Sequence, residues 1–295
     1  MPNLWTLGGL SVRELARRTW SASWRDAVFG QAGRMAFYHF LAIFPSLLVL
    51  LAIVARVPSI APEVKDAIAG LGNQFLPPQA SGLVEQMIGE LDRHMSMDYH
   101  FLAACAGALW AALNGTWALV YGLNSAYEVE EHRAPWKLAA TILGLTFSLA
   151  LAGSLALLLL VSAARFEQQA LHRPLSFHAA TATLRGFEWL TVVLLLMFSF
   201  ALVYRFAPNL RDHTWKWSTP GALCAVLLWI AATVGVRYYF QNLNDYARAY
   251  GHLNSAIMLL LWLYLTNGAI LIGGEMNSEI EKAAAKDRDK GRSGS

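Results

Sequence analysis

Hydrophobic residues in this chain are gathered into six long stretches that carry almost no charge. A helix needs about 20 residues to cross the hydrocarbon core of a bilayer, which is about 30 Å thick. The pattern therefore predicts an all-α fold, a polytopic membrane helical bundle with about six transmembrane helices. The fourth stretch is the shortest, with only about 16 uncharged residues between Glu188 and Arg205. The predicted spans are residues 35–57, 101–123, 138–163, 189–206, 218–240 and 255–274.

Three segments outside these spans complete the predicted domain organisation. Residues 1–34 are expected to form a basic amphipathic helix at the cytoplasmic interface, begun by a capping box at Ser11 and Glu14. Residues 35–280 form the transmembrane domain, whose external segment 58–100 is too long for a structureless loop and predicts a second amphipathic helix. Residues 281–295 are highly charged and predict a disordered cytoplasmic tail. The apolar positions of the two amphipathic helices are Val12, Leu15, Ala16 and Trp20, and Leu83, Val84, Met87, Ile88, Leu91 and Met95.

Composition and charge agree with this architecture and give it an orientation. Hydrophobic residues make up 56% of the 295 residues and charged residues 15%, whereas soluble domains carry about 25% charged residues. If the N-terminus lies inside, 15 of the 23 Lys and Arg residues fall on the cytoplasmic side, where positive charge gathers. We therefore expect a multi-pass protein of the bacterial inner membrane with both termini in the cytoplasm. The net charge of +3 then follows from topology and not from nucleic-acid binding.

A polar face on the second predicted span is the first candidate for chemistry. Asn114 lies close to the centre of the bilayer, where polar groups are costly and often functional. Trp110, Trp117 and Tyr121 share its face at helical spacing. Two roles stay open for Asn114: a hydrogen bond across a helix pair, or the lining of a substrate path. On an adjacent face small residues recur at every fourth position, which favours close helix packing: Ala103, Gly107, Ala111 and Gly115.

The first and last spans carry the other candidate residues. Tyr38 and Pro45 lie on the first span, and Pro45 removes a backbone hydrogen bond and should kink the helix, either as a fixed packing feature or as part of a gate. Tyr264, Asn267 and Glu275 make the last span more polar than lipid contact requires. For Glu275 two roles stay open, a coupling carboxylate or an ion pair. The expected partners in such an ion pair are Arg34, Arg205 and Arg211.

Catalytic signatures are missing from the sequence. It contains no H-E-x-x-H, no G-x-S-x-G, no Walker motif and no Asp-rich metal motif. The two cysteines, Cys105 and Cys224, lie in separate apolar stretches and are not expected to form a disulfide. Glu128, Glu130 and Glu131 follow the second span and have the pattern of solvated charges. We therefore expect no enzyme activity, no catalytic residue, no metal and no cofactor.

Several segments together resemble the YihY/BrkB family of bacterial inner-membrane proteins, and the resemblance covers residues 24–281. It implies a six-helix membrane fold with both termini in the cytoplasm. Members of that family have been labelled ribonuclease or virulence factor, so the resemblance says more about fold than about activity. The sequence departs from the family pattern at Gly274, where alanine is common. The matching segments begin at Ala36, Ile43, Leu109, Asn124, Tyr204, Thr219, Tyr250, Leu260 and Leu271.

These observations favour one function and leave a second open. The favoured function is a transporter or flippase-like protein that handles a lipid or small amphiphile, with Asn114, Pro45 and the polar face of the last span on its path. The alternative is a non-transporting envelope factor that binds partners or organises lipids. A continuous polar cavity beside Asn114 and Asn267 would favour transport, and a closely packed interior would favour the alternative. The expected partners are membrane lipids and a small amphiphilic substrate, with no nucleic acid and with a homo-oligomer left open.

Overall fold

A computed structural model describes residues 4–54, 99–170, 175–210, 219–242 and 253–293, together with isolated positions between 62 and 70. Every regular element in these ranges is a helix, which confirms the predicted all-α fold class. A 3-10 segment at Leu4–Gly9 precedes the first helix. Seven α-helices lie in these described ranges: α1 (Val12–Arg25), α2 (Val28–Val54), α3 (Tyr99–Ala126), α4 (Pro135–Ala170), α5 (Leu175–Phe206), α6 (Pro220–Asn242) and α7 (Leu253–Ser293).

Helices α2 to α7 fall on the six predicted spans in order. Three of them contain a stretch that is long and apolar enough to cross a membrane, Pro135–Ala156, Pro220–Tyr239 and Ala256–Lys286, and α5 contains a shorter apolar stretch at Val193–Phe206. These helices give the protein its membrane character. The crossings by α2 and α3 stay predictions, and the predicted external helix within 58–100 lies outside the described residues apart from the start of α3.

The bundle is built around α7, which packs against α2 and α6, while α3 packs against α2. Small residues allow the closest approaches. A Cβ atom at Gly115 of α3 would come within 2.7 Å of the His39 ring on α2, and one at Gly122 would come within 2.9 Å of Leu271 on α7. Only the second half of the small-residue face of α3 packs against the protein, since Ala111 is buried but Ala103 is exposed. The fully buried core includes Val28, Ala32, Met35, Ala118, Val120, Leu123 and Leu271.

Helix α1 begins as the sequence predicts, but it turns a different face to the protein. The Ser11 hydroxyl accepts a hydrogen bond from the Glu14 backbone N–H at 3.3 Å, which satisfies one free donor of the first turn. Of the four predicted apolar positions only Leu15 is buried, while Val12 and Trp20 are 73% and 57% exposed. The face that packs against α7 is the stripe of Leu15, Thr19, Ala22 and Ser23. The interfacial position of the apolar face stays a prediction.

Helix α7 continues without interruption to Ser293, through the segment for which the sequence predicts a disordered tail. Residues at the start of the chain pack against this extension. Gly8 has φ +60°, and a Cβ atom there would lie 2.7 Å from the Ile280 carbonyl oxygen and 2.9 Å from the Ala283 side chain. Leu15 and Ile280 form a small buried core between α1 and α7. Charge along the segment suggests disorder, but this contact gives its apolar side a partner.

Candidate functional site

Four segments meet at one end of the bundle: α1, the α3–α4 loop, the end of α5 and the beginning of α6. We call this the α1 end. Asn124 near the end of α3 links two of them, because its amide donates to Glu131 at 2.8 Å and its Oδ1 accepts from the Asn209 backbone N–H at 2.8 Å. Asn209 in turn donates to the Glu130 carbonyl at 3.0 Å. A buried amide thus holds the α3–α4 loop against the end of α5.

Arg133 completes this network by capping the C-terminus of α5. Its guanidinium binds both oxygens of Glu131 at 2.8 and 2.6 Å and donates to the carbonyl oxygens of Phe206 and Ala207. Carbonyls at a helix C-terminus have no intrahelical partner, so a cation there is doubly favourable. The Arg133 and Glu131 side chains are only 15% and 11% exposed. Glu131 is therefore not the solvated charge that the sequence suggested, whereas Glu130 is 87% exposed.

The beginning of α6 is capped by a residue from α7. The Asn277 Oδ1 accepts from the Gly221 N–H at 2.9 Å, and its Nδ2 donates to the Thr219 hydroxyl at 3.0 Å. Thr219 also accepts from the Ala222 N–H at 3.1 Å. The backbone of Gly221 lies directly against Gly273, and a Cβ atom at either position would overlap with the backbone of the other. Asn277 therefore ties α7 to the first turn of α6 at a backbone-to-backbone crossing.

Glu275 lies between these two networks and is fully buried. Neither of its carboxylate oxygens meets a hydrogen-bond donor in the described part of the chain. The predicted ion pair with Arg34 or Arg205 is therefore wrong, and Arg211 lies outside the described residues. The group that faces Glu275 is instead another carboxylate, that of Asp26 at the end of α1.

Charged groups from three helices surround this pair. Arg25 donates to both oxygens of Asp26 at 3.1 Å and also binds Glu128 at the end of α3. Lys282 of α7 lies 3.2 Å from Glu128 and 3.3 Å from Glu279. Each of these two cations is thus already shared between two carboxylates.

Asn114 lies at a different place, in the wall of a groove that opens laterally between α3 and α4. The groove encloses about 380 Å³. The Asn114 amide donates to the Trp110 carbonyl of its own helix at 2.7 Å. This intrahelical bond is not the bond across a helix pair that the sequence suggested as one alternative. The lining consists of Leu113, Asn114, Trp117, Ala139, Ile142 and Leu143.

The aromatic residues of the predicted polar face form contacts around this groove. Trp117 packs against Tyr121 at 4.6 Å between ring centroids, and the Arg34 guanidinium lies 5.2 Å over the Trp117 ring. Two nitrogen atoms of Arg34, Nε and Nη2, are buried and have no hydrogen-bond acceptor among the described residues. Trp110 is 57% exposed and meets Tyr38 of α2 edge to face at 6.2 Å.

The remaining predicted residues lie away from the groove. Asn267 is buried, donates to the Leu263 carbonyl of its own helix at 2.8 Å and faces His39 of α2. Tyr264 packs in the core near Gly33. Pro45 lies inside α2, but its side chain is outside the described part, so the predicted kink stays a prediction. The structure thus brings Asn114 and Trp117 together in one groove lining, while Asn267 and Glu275 belong to other surroundings.

Sequence reasoning did not recognise the residues that build the α1 end as a group. Asn124, Asn209 and Asn277 lie in segments that carry the family resemblance, which was the available signal, whereas Asp26 had none. Within the described residues no cluster of three His, Cys, Asp or Glu side chains could hold a metal ion. Cys105 and Cys224 are both free, as predicted.

Comparison with known proteins identifies the family. The family model described as "Virulence factor BrkB" matches residues 19–295, nearly the whole chain. The chain belongs to the BrkB family. It is 28% identical to the ribonuclease-like protein YfkH of Bacillus subtilis over 255 residues, which cover 85% of this chain and 90% of YfkH. It is 27% identical over 269 residues to UPF0761 membrane proteins of Xanthomonas campestris and Xanthomonas axonopodis.

The BrkB family relatives differ in length. The match covers 90% of this chain but only 60% of the Xanthomonas proteins, so those relatives have sequence that this chain does not match. No solved structure matches the chain. Membership of the BrkB family agrees with the resemblance found in the sequence. The segments that carry this resemblance meet in space, since Asn124 contacts Asn209 and Thr219 contacts Asn277.

Proposed function

We propose that this protein binds a lipid or another small amphiphile in the groove between α3 and α4 and moves it within the inner membrane. The observation that carries the proposal is a laterally open groove whose wall is apolar except for Asn114. Apolar walls of this kind suit an acyl chain, and a single amide can hold an ester or hydroxyl group of the same molecule. Leu143, Phe147 and Leu151 on the exposed side of α4 give the groove a lipid-facing border.

Arg34 provides the second argument for an amphiphile. Its guanidinium is separated from the groove by one aromatic ring, that of Trp117, and two of its buried nitrogens have no acceptor in the described part of the chain. A buried donor without a partner is costly, so a polar or anionic group near Trp117 would be stabilised there. The groove therefore combines an apolar wall, one amide and a nearby cation, which is the pattern that a phospholipid-like molecule requires.

Asn114→Leu is the direct test. The Asn114 bond is internal to α3, so we expect the variant to keep its free energy of unfolding within about 1 kcal/mol of the wild type. We expect a several-fold loss of lipid binding and of lipid movement between leaflets, measured with fluorescent phospholipids in reconstituted vesicles.

Thr141→Val is the matched control for this variant. Thr141 of α4 donates to the Lys137 carbonyl one turn earlier, as Asn114 does to Trp110, but it does not line the groove. The control should therefore bind and move lipid like the wild type. Unchanged lipid binding and movement in Asn114→Leu would contradict the assignment of the groove.

A non-transporting envelope factor is the second candidate, because the described interior is closely packed. A Cβ atom at Gly115 would strike His39, and one at Gly274 would strike Leu123 at 2.5 Å. A bundle without a continuous polar path agrees better with binding than with passage through the centre. Lipid that binds in the Asn114 groove but does not change leaflet would select this candidate.

We also propose that the protein is not an enzyme. The name ribonuclease-like belongs to the YfkH relative. Here Glu131 is bound by Arg133 and Asn124, and Glu128 is bound by Arg25 and Lys282. Carboxylates engaged in this way are poor candidates for a general base or for metal ligands over a phosphate.

The proposed topology places both termini and the α1 end in the cytoplasm, in agreement with the excess of Lys and Arg on that side. Reporter fusions after Arg133, Arg211 and Lys286 should all report a cytoplasmic position. A periplasmic signal after Lys286 would contradict an even number of crossings. The expected partners are membrane lipids and no nucleic acid, with a homo-oligomer still open.

A further inference from the structure

Glu275 at the α1 end is a buried carboxyl group whose charge has no partner among the described residues. Its side chain is fully buried, and both oxygens lack a donor in the described part of the chain. An ionised carboxylate without a hydrogen bond or a counter-charge is among the most costly groups to bury. A charge on Glu275 must therefore be balanced from outside the described residues, or removed by something that binds there.

The neighbouring protein groups do not supply that balance. Asp26 faces Glu275 and is itself a carboxylate, whose two oxygens are occupied by Arg25. The negative charge of one carboxylate disfavours ionisation of a buried neighbour. A proton on Glu275 would remove the repulsion and give this side chain a donor, since its O–H could then bind Asp26.

Counting the charged groups around the pair leads to the same conclusion. Among the described residues, four carboxylates converge here from α1, from the segment after α3 and from α7, and two cations, Arg25 and Lys282, accompany them. Arg25 binds Glu128, and Lys282 binds both Glu128 and Glu279. Tyr127 also faces the site, and burial raises the pKa of its hydroxyl, so it stays neutral. The carboxylates are Asp26, Glu128, Glu275 and Glu279.

We propose that Glu275 is a proton-binding site, in which the carboxyl group takes one proton from the solvent at the α1 end and donates it in a hydrogen bond to Asp26. The proton binds at a Glu275 oxygen and returns to water when it leaves. Its loss places two adjacent negative charges between α1 and α7. Binding of the proton therefore stabilises the docking of α1 on α7, and its release loosens that docking. The proposal is independent of the groove at Asn114.

Infrared difference spectroscopy on the full-length protein in nanodiscs tests the site directly. A protonated carboxyl group has a C=O stretching band that a carboxylate lacks. We expect the wild type to show this band at neutral pH and to lose it on alkalinisation. Glu275→Gln keeps the shape of the side chain and should abolish the band. Glu130→Gln in the α3–α4 loop should retain it, because the Glu130 side chain is 87% exposed and lies outside the site.

A second variant tests the pairing with Asp26. In Asp26→Asn the repulsion is removed and an amide can donate to an ionised Glu275, so the midpoint of the band should move to lower pH by about one unit or more. A wild type without the band at neutral pH, or a band that survives in Glu275→Gln, would overturn the proposal. An unchanged midpoint in Asp26→Asn would overturn it too. A wild-type midpoint pH that falls as the sodium or potassium concentration is raised would show that a metal cation, in place of the proton, is the ligand of this site, and it would overturn the proposal.

Discussion

Gly221→Ala is expected to destabilise the protein more than any other single methyl addition described here. The new Cβ atom would overlap with the carbonyl oxygen of Gly273 and lie 2.6 Å from Asn277 Cγ, so the crossing of α6 and α7 must open. Opening it also breaks the two hydrogen bonds by which Asn277 caps α6. We expect a loss of about 3 kcal/mol, seen as a lower melting temperature and as aggregation on size exclusion in detergent.

Gly235→Ala on the same helix is the control for this variant. A Cβ atom at Gly235 meets nothing within 4 Å, and alanine favours a helix over glycine by about 1 kcal/mol. This variant should be as stable as the wild type or slightly more stable. Equal melting temperatures for Gly221→Ala and the wild type would show that α6 and α7 do not cross at this point.

Arg133→Ala is expected to have the next largest effect on stability. The substitution leaves Glu131 with its charge largely buried and removes the donor to two carbonyls at the end of α5. Loss of one partner of a buried pair leaves an uncompensated charge, and we expect about 2 to 3 kcal/mol of destabilisation in chemical unfolding. Arg17→Ala removes an exposed pair with Glu14 and should have no measurable effect.

The same pair predicts a dependence on pH. The hydrogen bond from Arg133, assisted by that from Asn124, lowers the pKa of Glu131 from its ordinary 4.5 to about 2. A lowered pKa in the folded state means that this stabilisation is complete above about pH 4.5 and is lost as the pH falls towards 2. Stability measured across this range should fall more steeply in the wild type than in Arg133→Ala. Parallel curves would contradict the role of Arg133.

The helices were predictable because hydrophobic length is a local property of the sequence. Each of α2 to α7 falls on one apolar stretch, and Ser11 marks the beginning of α1 through its hydroxyl. The structure departs from the sequence pattern where a distant segment decides the outcome. Residues 281–293 have a composition typical of disorder, but Gly8 packs against Ala283 and Ala284, Leu15 packs against the adjoining Ile280, and the helix continues. The stripe of α1 that packs against α7 likewise depends on this distant helix.

The candidate site shows the same limit. Its predicted depth in the membrane singled out Asn114, but only the structure shows that its amide bonds within α3 and that its side chain lines a groove beside α4. Glu275 could be recognised as unusual from its position. Its neighbour Asp26 lies at the other end of the chain, and no spacing or motif relates the two residues. Contacts between residues so far apart in sequence depend on the completed fold.

The docking of the first residues on the last helix has a consequence for how the protein is made. Leu15 and Gly8 leave the ribosome first, but their partners Ile280 and Ala283 are synthesised only after all the preceding helices. Until then the residues of α1 that pack against α7 are uncovered. The amphipathic helix can lie on the membrane surface during this time. Closure of this contact is therefore a late event in biogenesis, and truncation of α7 before Ile280 should leave an inserted bundle with an undocked α1 that is open to proteolysis.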